Sequence, residues 1–132
     1  MSGYNGVKLS NAILCLAFSG SSKFILLTCR GAEMCCLKIS NLGGLTKARR
    51  VRDYLVENRI PVISEDSWGG EIATAAVAHF AASTPEDYLI NSTDLMNYNT
   101  TSTGIGGPSV SGGKLYATDT PGLGVTPDFD AL

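Results

Sequence analysis

Histidine, tryptophan and early acidic residues are what this chain has least of. His79 is its one histidine and Trp68 its one tryptophan, and no Asp or Glu precedes Glu33. A multi-histidine metal centre is therefore excluded, as is carboxylate chemistry in the first quarter of the chain. The four cysteines, Cys15, Cys29, Cys35 and Cys36, form no C-x-x-C pair. With a single histidine beside them, zinc is argued against. Adjacent Cys35 and Cys36 are poorly placed to bond each other, so buried thiols in a reducing cytosol are expected. Net charge is −2, which lacks the basic excess of a nucleic-acid partner or a polybasic membrane patch. Long apolar runs are missing too. Ala12 to Phe18 is broken by Ser19 to Ser22 before Phe24 to Leu27 begins, too short and interrupted for a membrane span. With Lys8 ahead, the first run faintly imitates a signal peptide. It is only seven residues long with one charge before it, so a cytoplasmic protein is expected.

What is present is an α/β pattern. Residues 1–30 are atypical and read as a buried strand followed by a short helix. Residues 31–132 form the second segment, and from Glu33 onward the pattern is regular until it changes after Asn91. Met34 to Ile39 reads as a strand buried on both faces. Gly43-Gly44 turns the chain. Leu45, Ala48, Val51, Leu55 and Val56 recur at helical spacing, with Lys47, Arg49, Arg50, Arg52 and Asp53 on the remaining positions. Ile60 to Ile63 is the next strand, and Ser64 to Gly70 a polar loop after it. A second helix follows, with Ile72, Ala75, Ala76, His79 and Phe80 on one face, stopped by Ser83-Thr84-Pro85. Tyr88 to Ile90 is a third strand. Strands alternating with helices predict a parallel sheet, with strands near 34–39, 60–64 and 88–91. Residues 91–113 are rich in Asn, Ser, Thr and Gly and read as a long loop. Ser109 to Tyr116 reads as a hairpin turning on Gly112-Gly113. The Gly104 to Gly107 cluster is no phosphate loop, because no Lys-Ser/Thr follows it. The sequons at Asn91 and Asn99 carry no meaning in a cytosolic chain. There is no internal repeat and no linker.

Lys38 stands out, at the end of a strand and just before a Gly-Gly turn into a helix. Strand C-termini are where (β/α)8 barrels keep their catalytic groups. The stretch Leu37-Lys38-Ile39-Ser40-Asn41-Leu42-Gly43-Gly44 resembles the sixth barrel strand of the enolase superfamily, in the branch with a lysine acid/base there. The resemblance continues through Glu65-Asp66-Ser67-Trp68-Gly69-Gly70 to Pro121-Gly122-Leu123-Gly124-Val125. It is of the mandelate racemase/muconate lactonizing type, and looks most like the cis-3-hydroxy-L-proline dehydratases and their proline-betaine epimerase relatives. A complete TIM barrel takes roughly 250 residues. The resemblance therefore implies an incomplete barrel: its last three strand–helix units and C-terminal tail, over about residues 30 to 132.

The implied chemistry is removal of a proton next to a carboxylate. The enediolate that forms needs charge stabilisation, which the family obtains from Mg2+ on three carboxylates. The fifth-strand ligand has no counterpart, since no acid precedes Glu33; the metal ligands are expected to be absent from this chain. A lysine serves as base when neighbouring cations and burial lower its pKa. Alternation puts Cys36, Lys38 and Ser40 on one strand face and Leu37 and Ile39 on the other. The resemblance makes Lys38 one of two opposed lysines, the other missing here. The competing reading is a lysine snorkelling out at a strand end.

For a proline-like substrate, the resemblance points to Asp66 as partner of the ring ammonium, with Trp68 as a cation–π face or, alternatively, a wedge under its loop. Glu65 reads as a solvent-facing neighbour. Asp94 and Tyr98 follow the last strand and either line the pocket or are solvated turn residues. His79 reads as a satisfied core histidine. The implied function is loss of water from a cyclic hydroxy amino acid, or epimerisation of a proline betaine. A non-catalytic remnant is the third reading. Homo-oligomers are expected of the full-length family.

Overall fold

The computed structural model describes residues 13–16 and 33–131. Four parallel strands form one sheet in the order β1 (Ile13–Leu16), β2 (Met34–Lys38), β3 (Val62–Glu65) and β4 (Leu89–Ser92). Helix α1 (Leu45–Glu57) joins β2 to β3, and α2 (Glu71–Ala82) joins β3 to β4. This is the mixed α/β arrangement of a barrel segment. The strand expected in the first apolar run is β1, aligned with β2 from Ile13 opposite Met34 to Leu16 opposite Leu37. The short helix expected near Phe24 to Leu27 lies outside the described residues, as does Cys29.

The pleat of β2 sorts its side chains as alternation requires. Cys35, Leu37 and Ile39 join Val62 of β3, Ala48, Val51 and Leu55 of α1, and Val77 and Phe80 of α2 in one core cluster. Each such side chain, removed from water, contributes about 1.5–3 kcal/mol for Val, Leu, Ile or Phe. Cys36 and Lys38 point the opposite way, away from the helices. Small residues on α2 let it lie close on the sheet: Ala75 and Ala78 are buried, as is Thr74.

Both turns around α1 have a local cause. Gly43 and Gly44 have φ of 81° and 109°, a region that β-carbons disfavour. The helix ends with Arg59 at φ 60°. There the Ile60 N–H bonds Leu55 O at 2.9 Å and the Arg59 N–H bonds Val56 O at 3.0 Å, a Schellman closure with an arginine in the left-handed place.

Several expectations need correction. β3 starts and ends later than 60–64, at Val62–Glu65, because the Ile60 N–H is spent on closing α1 and Pro61 has none to give; Glu65 is therefore a strand residue. β4 is preceded by a 3-10 turn, Glu86–Tyr88, that displaces it one residue from 88–91. Arg52, which fills one of the positions left beside the apolar residues of α1, is 5% exposed and tied to the end of α2. Ile72 is exposed, whereas Thr74, Val77, Ala78 and Ala81 are buried.

Beyond β4, the segment expected to be a long loop contains more order. β5 (Gly104–Gly106) pairs antiparallel with β8 (Val125–Pro127). β6 (Ser109–Ser111) and β7 (Lys114–Tyr116) form the expected hairpin. Gly112 and Gly113 have φ of 57° and 75°, as a two-residue turn with both central residues left-handed requires. The β5–β8 ribbon sits on the start of α2, where Glu71 accepts bonds from the Thr103 N–H at 3.0 Å and hydroxyl at 3.1 Å.

Candidate functional site

Parallel strands put their C-terminal ends on one edge, and four polar residues meet or follow that edge. Lys38 ends β2, Glu65 ends β3, Asp66 follows it, and Asp94 follows β4. Lys38 and Glu65 are register partners on neighbouring strands. Their side chains share the face opposite the helices, and Lys38 Nζ lies 3.4 Å from Glu65 Oε1, both about one-quarter exposed. The Cys36 thiol, two residues before Lys38 on the same face, donates to Glu65 Oε2. Glu65 was expected to face solvent; its place inside β3 turns it onto this face instead. The neighbouring cation expected to tune Lys38 is not what it pairs with, because that partner is a carboxylate. Glu65 is the residue that sequence reasoning missed, and the register of the two strands was the signal that located it.

Asp66 is on the same edge but turned differently. It is 7% exposed. It accepts from the Ser40 N–H at 3.2 Å, from the Ser40 hydroxyl, and from the Ser67 N–H at 2.7 Å. These bonds tie the turn after β2 to the turn after β3. Trp68 is 79% exposed, so it is no buried wedge. It meets Tyr98 edge-on, with ring centroids 6.4 Å apart, so the loop after β3 and the loop after β4 share an exposed aromatic pair.

Asp94 accepts from the Asn97 side chain through Oδ2, while its buried Oδ1 has no protein hydrogen-bond partner. It lines two neighbouring concavities, one with Lys114, Leu115 and Tyr116 of the hairpin and one with Asn97 and Tyr98. The structure thus brings Lys38, Glu65 and Asp66 to adjoining strand ends, with Asp94 one strand further along. His79 is elsewhere, between the helices beside Leu45, Arg49, Phe80 and Ser83. Its buried Nε2 has no hydrogen-bond partner, so it is not the satisfied core histidine expected.

Glu71 stands at the head of α2, where hydrogen bonds favour its charged form. Burial pushes its carboxyl up, but hydrogen bonds from Ser102, its own backbone and Thr103 outweigh that and hold it below the ordinary value of 4.5.

Magnesium prefers an octahedron of oxygens from carboxylates and water. Glu65 is engaged by Lys38 and Cys36, and Asp66 by Ser40 and Ser67. β1, the strand beside β2, reads Ile13-Leu14-Cys15-Leu16 and carries no acid. Among the described residues no group of three or more His, Cys, Asp or Glu is placed to hold a metal. These residues do not fit a three-carboxylate magnesium site. Among the described residues, too, no helix is long and apolar enough to cross a membrane.

Comparison with known proteins supplies the context for this edge. The family described as enolase C-terminal domain-like matches residues 24–131. A cis-3-hydroxy-L-proline dehydratase from Roseibium aggregatum is 48% identical over 96 residues, covering 73% of this chain and 26% of that protein. The crystal structure of a mandelate racemase/muconate lactonizing enzyme from Roseovarius nubinhibens ISM is 77% identical with a TM-score of 0.77, covering 81% of this chain and 29% of that one. An enolase-superfamily member from the same organism, complexed with magnesium, is 31% identical with a TM-score of 0.75, over 83% and 30% of the two chains. The chain therefore spans between a quarter and a third of the length of these relatives.

Proposed function

The chain belongs to the enolase C-terminal domain-like family, of the mandelate racemase/muconate lactonizing type, and from that premise we propose that residues 31–132 supply one side of a dehydratase-type active site. The observation that carries this reading is the position of Lys38: at the C-terminal end of a parallel strand, on the face turned away from the helices, with its amine held by Glu65.

In this reading the Lys38 amine takes the proton from the carbon next to a substrate carboxylate. The electron pair left behind breaks the bond to the hydroxyl on the adjacent carbon, and that hydroxyl takes the proton Lys38 now carries and departs as water. Asp66 faces the ring ammonium of a cyclic hydroxy amino acid such as cis-3-hydroxy-L-proline, and the exposed Trp68–Tyr98 pair offers aromatic surface to that cation. Asp94, with a carboxylate oxygen to spare, is a further contact for the substrate's polar groups. The kinship to a dehydratase of that specificity supports the choice of substrate. The described residues fit no magnesium site, so stabilisation of the enediolate is assigned to none of them. The buried thiols of Cys35 and Cys36 suit a reducing cytosol.

A chimera tests the reading. Residues 31–132 replace the matching segment of the Roseibium aggregatum enzyme, and cis-3-hydroxy-L-proline is followed by proton NMR in D2O. Loss of water that disappears in Lys38→Ala is expected. Epimerisation of a proline betaine with no dehydration would instead support the epimerase reading. Turnover that survives Lys38→Ala would remove Lys38 from the reaction, and a chimera inert toward both substrates would favour the non-catalytic reading. The 132-residue chain alone is expected not to turn over, since even one lost preorganised donor costs ~10²–10³ in rate.

A further inference from the structure

We propose that Glu65 is the positioning residue for Lys38, and that the Cys36 thiol in turn anchors Glu65. The inference rests on the reading of Lys38 as the acid/base group. A lysine at a strand end carries its charge on a flexible four-carbon stem, and nothing in the strand itself chooses one direction for it. Here the direction is chosen from the neighbouring strand. Register sets Glu65 directly opposite Lys38, about 4.8 Å away across a parallel pair. Its two oxygens are divided: Oε1 faces Lys38 Nζ at 3.4 Å, and Oε2 receives the Cys36 thiol.

Cys36 is 3% exposed, so the anchor is fixed by packing while the amine it serves stays partly open. The three side chains make a triangle on one sheet face, two from β2 and one from β3. An ion pair this exposed contributes little to stability; what it does is restrict where the amine can be. The open side of the triangle is the C-terminal edge of the sheet, the side from which a reacting carbon would approach. Glu65 itself needs no contact with substrate to act in this way.

Two measurements test the proposal. In the full 132-residue chain, competitive acetic anhydride labelling read by peptide mass spectrometry compares Lys38 with exposed Lys47. Glu65→Gln keeps the size of the side chain and removes its charge. It is expected to raise the labelling of Lys38 relative to Lys47 by about two- to fivefold, the range of one partly exposed ion pair. An unchanged ratio overturns the proposal. In the chimera described above, Glu65→Gln is expected to lower kcat by about 10- to 100-fold, as a displaced catalytic group does. KM is expected to stay within about twofold, because Glu65 does not touch substrate. A normal kcat, or a raised KM at normal kcat, overturns the positioning role even where Lys38→Ala is dead. Turnover surviving Lys38→Ala instead sinks the underlying reading of Lys38, and that variant alone tells the two failures apart.

Discussion

Replacing Arg52 by alanine will loosen the two helices from each other, and the structure sets the size of the effect. The guanidinium is buried at 5% exposure between α1 and the end of α2. One of its nitrogens donates to Ser83 O at 2.9 Å, to the Ser83 hydroxyl at 2.8 Å and, more weakly, to Thr84 Oγ1 at 3.4 Å. The guanidinium carbon lies over the Phe80 ring, 5.4 Å from the centroid. Ser83 caps the C-terminus of α2, where a cation is favoured by about 0.3–1 kcal/mol. A hydrogen bond to a charged group contributes about 1.5–3 kcal/mol.

Two facts limit the sum. The Ser83 and Thr84 hydroxyls keep bonds to Phe80 O when Arg52 is gone. Asp53, the other partner, is half exposed and turns to water or Arg49. The net loss for Arg52→Ala is therefore about 2–4 kcal/mol, near the lower end for breaking a buried charged contact. Arg52→Lys keeps the charge but not the fork and should lose about half as much.

Urea unfolding followed by far-UV circular dichroism measures this. Trp68 is 79% exposed and would report poorly by fluorescence. Protein concentration must be held fixed, because any association shifts the midpoint. Asp53→Ala is the control and should cost below about 1 kcal/mol. An Arg52→Ala chain within about 0.5 kcal/mol of the parent, the range of an ordinary surface change, would refute the reasoning.

Glu71 predicts a pH effect of definite sign. Its folded carboxyl titrates below 4.5, so its stabilisation is present above the unfolded value and fades as pH falls through the lower, folded one. Thermal melts in that acid range should show a smaller drop in Glu71→Gln than in the parent, and equal drops would rule out a stabilising role for the Glu71–Thr103 hydrogen bonds. Asp66→Asn should cost about 1–2 kcal/mol of stability, since one amide oxygen replaces a charged acceptor shared by Ser40 and Ser67. In the chimera the same change should raise KM for the cyclic amino acid about tenfold or more if the carboxylate meets the ammonium, and an unchanged KM would leave Asp66 a purely structural tie. Among the described residues β4 pairs on one side alone, and Ile90 on it is 49% exposed. Such an edge invites pairing, so sedimentation should show self-association that Ile90→Lys weakens; a strict monomer with a sharp two-state transition would contradict this.

Much of the architecture was legible in the residues alone because it depends on local periodicity. The alternation of Cys36, Lys38 and Ser40 with Leu37 and Ile39 assigns the faces of β2 without any coordinate. The helical spacing of Ala48, Val51 and Leu55 assigns the buried side of α1, and Gly112-Gly113 specifies the hairpin. The resemblance around Lys38 and Asp66 points to the family on the same local evidence. Contacts between elements were not legible. Whether Arg52 is solvated depends on where the end of α2 comes to rest, which no pattern within α1 records. The β5–β8 ribbon joins residues about twenty positions apart, and strands as short as Gly-Ile-Gly and Val-Thr-Pro leave no periodic trace. Glu65 shows the limit most directly. Its sequence neighbours suggest a loop, because Pro61 marks the start of the strand too early. The register between β2 and β3 turns it onto Lys38. Local order follows from side-chain spacing along one segment; the pairing of Lys38 with Glu65 and Cys36 follows from how two segments align, and only the folded chain contains that alignment.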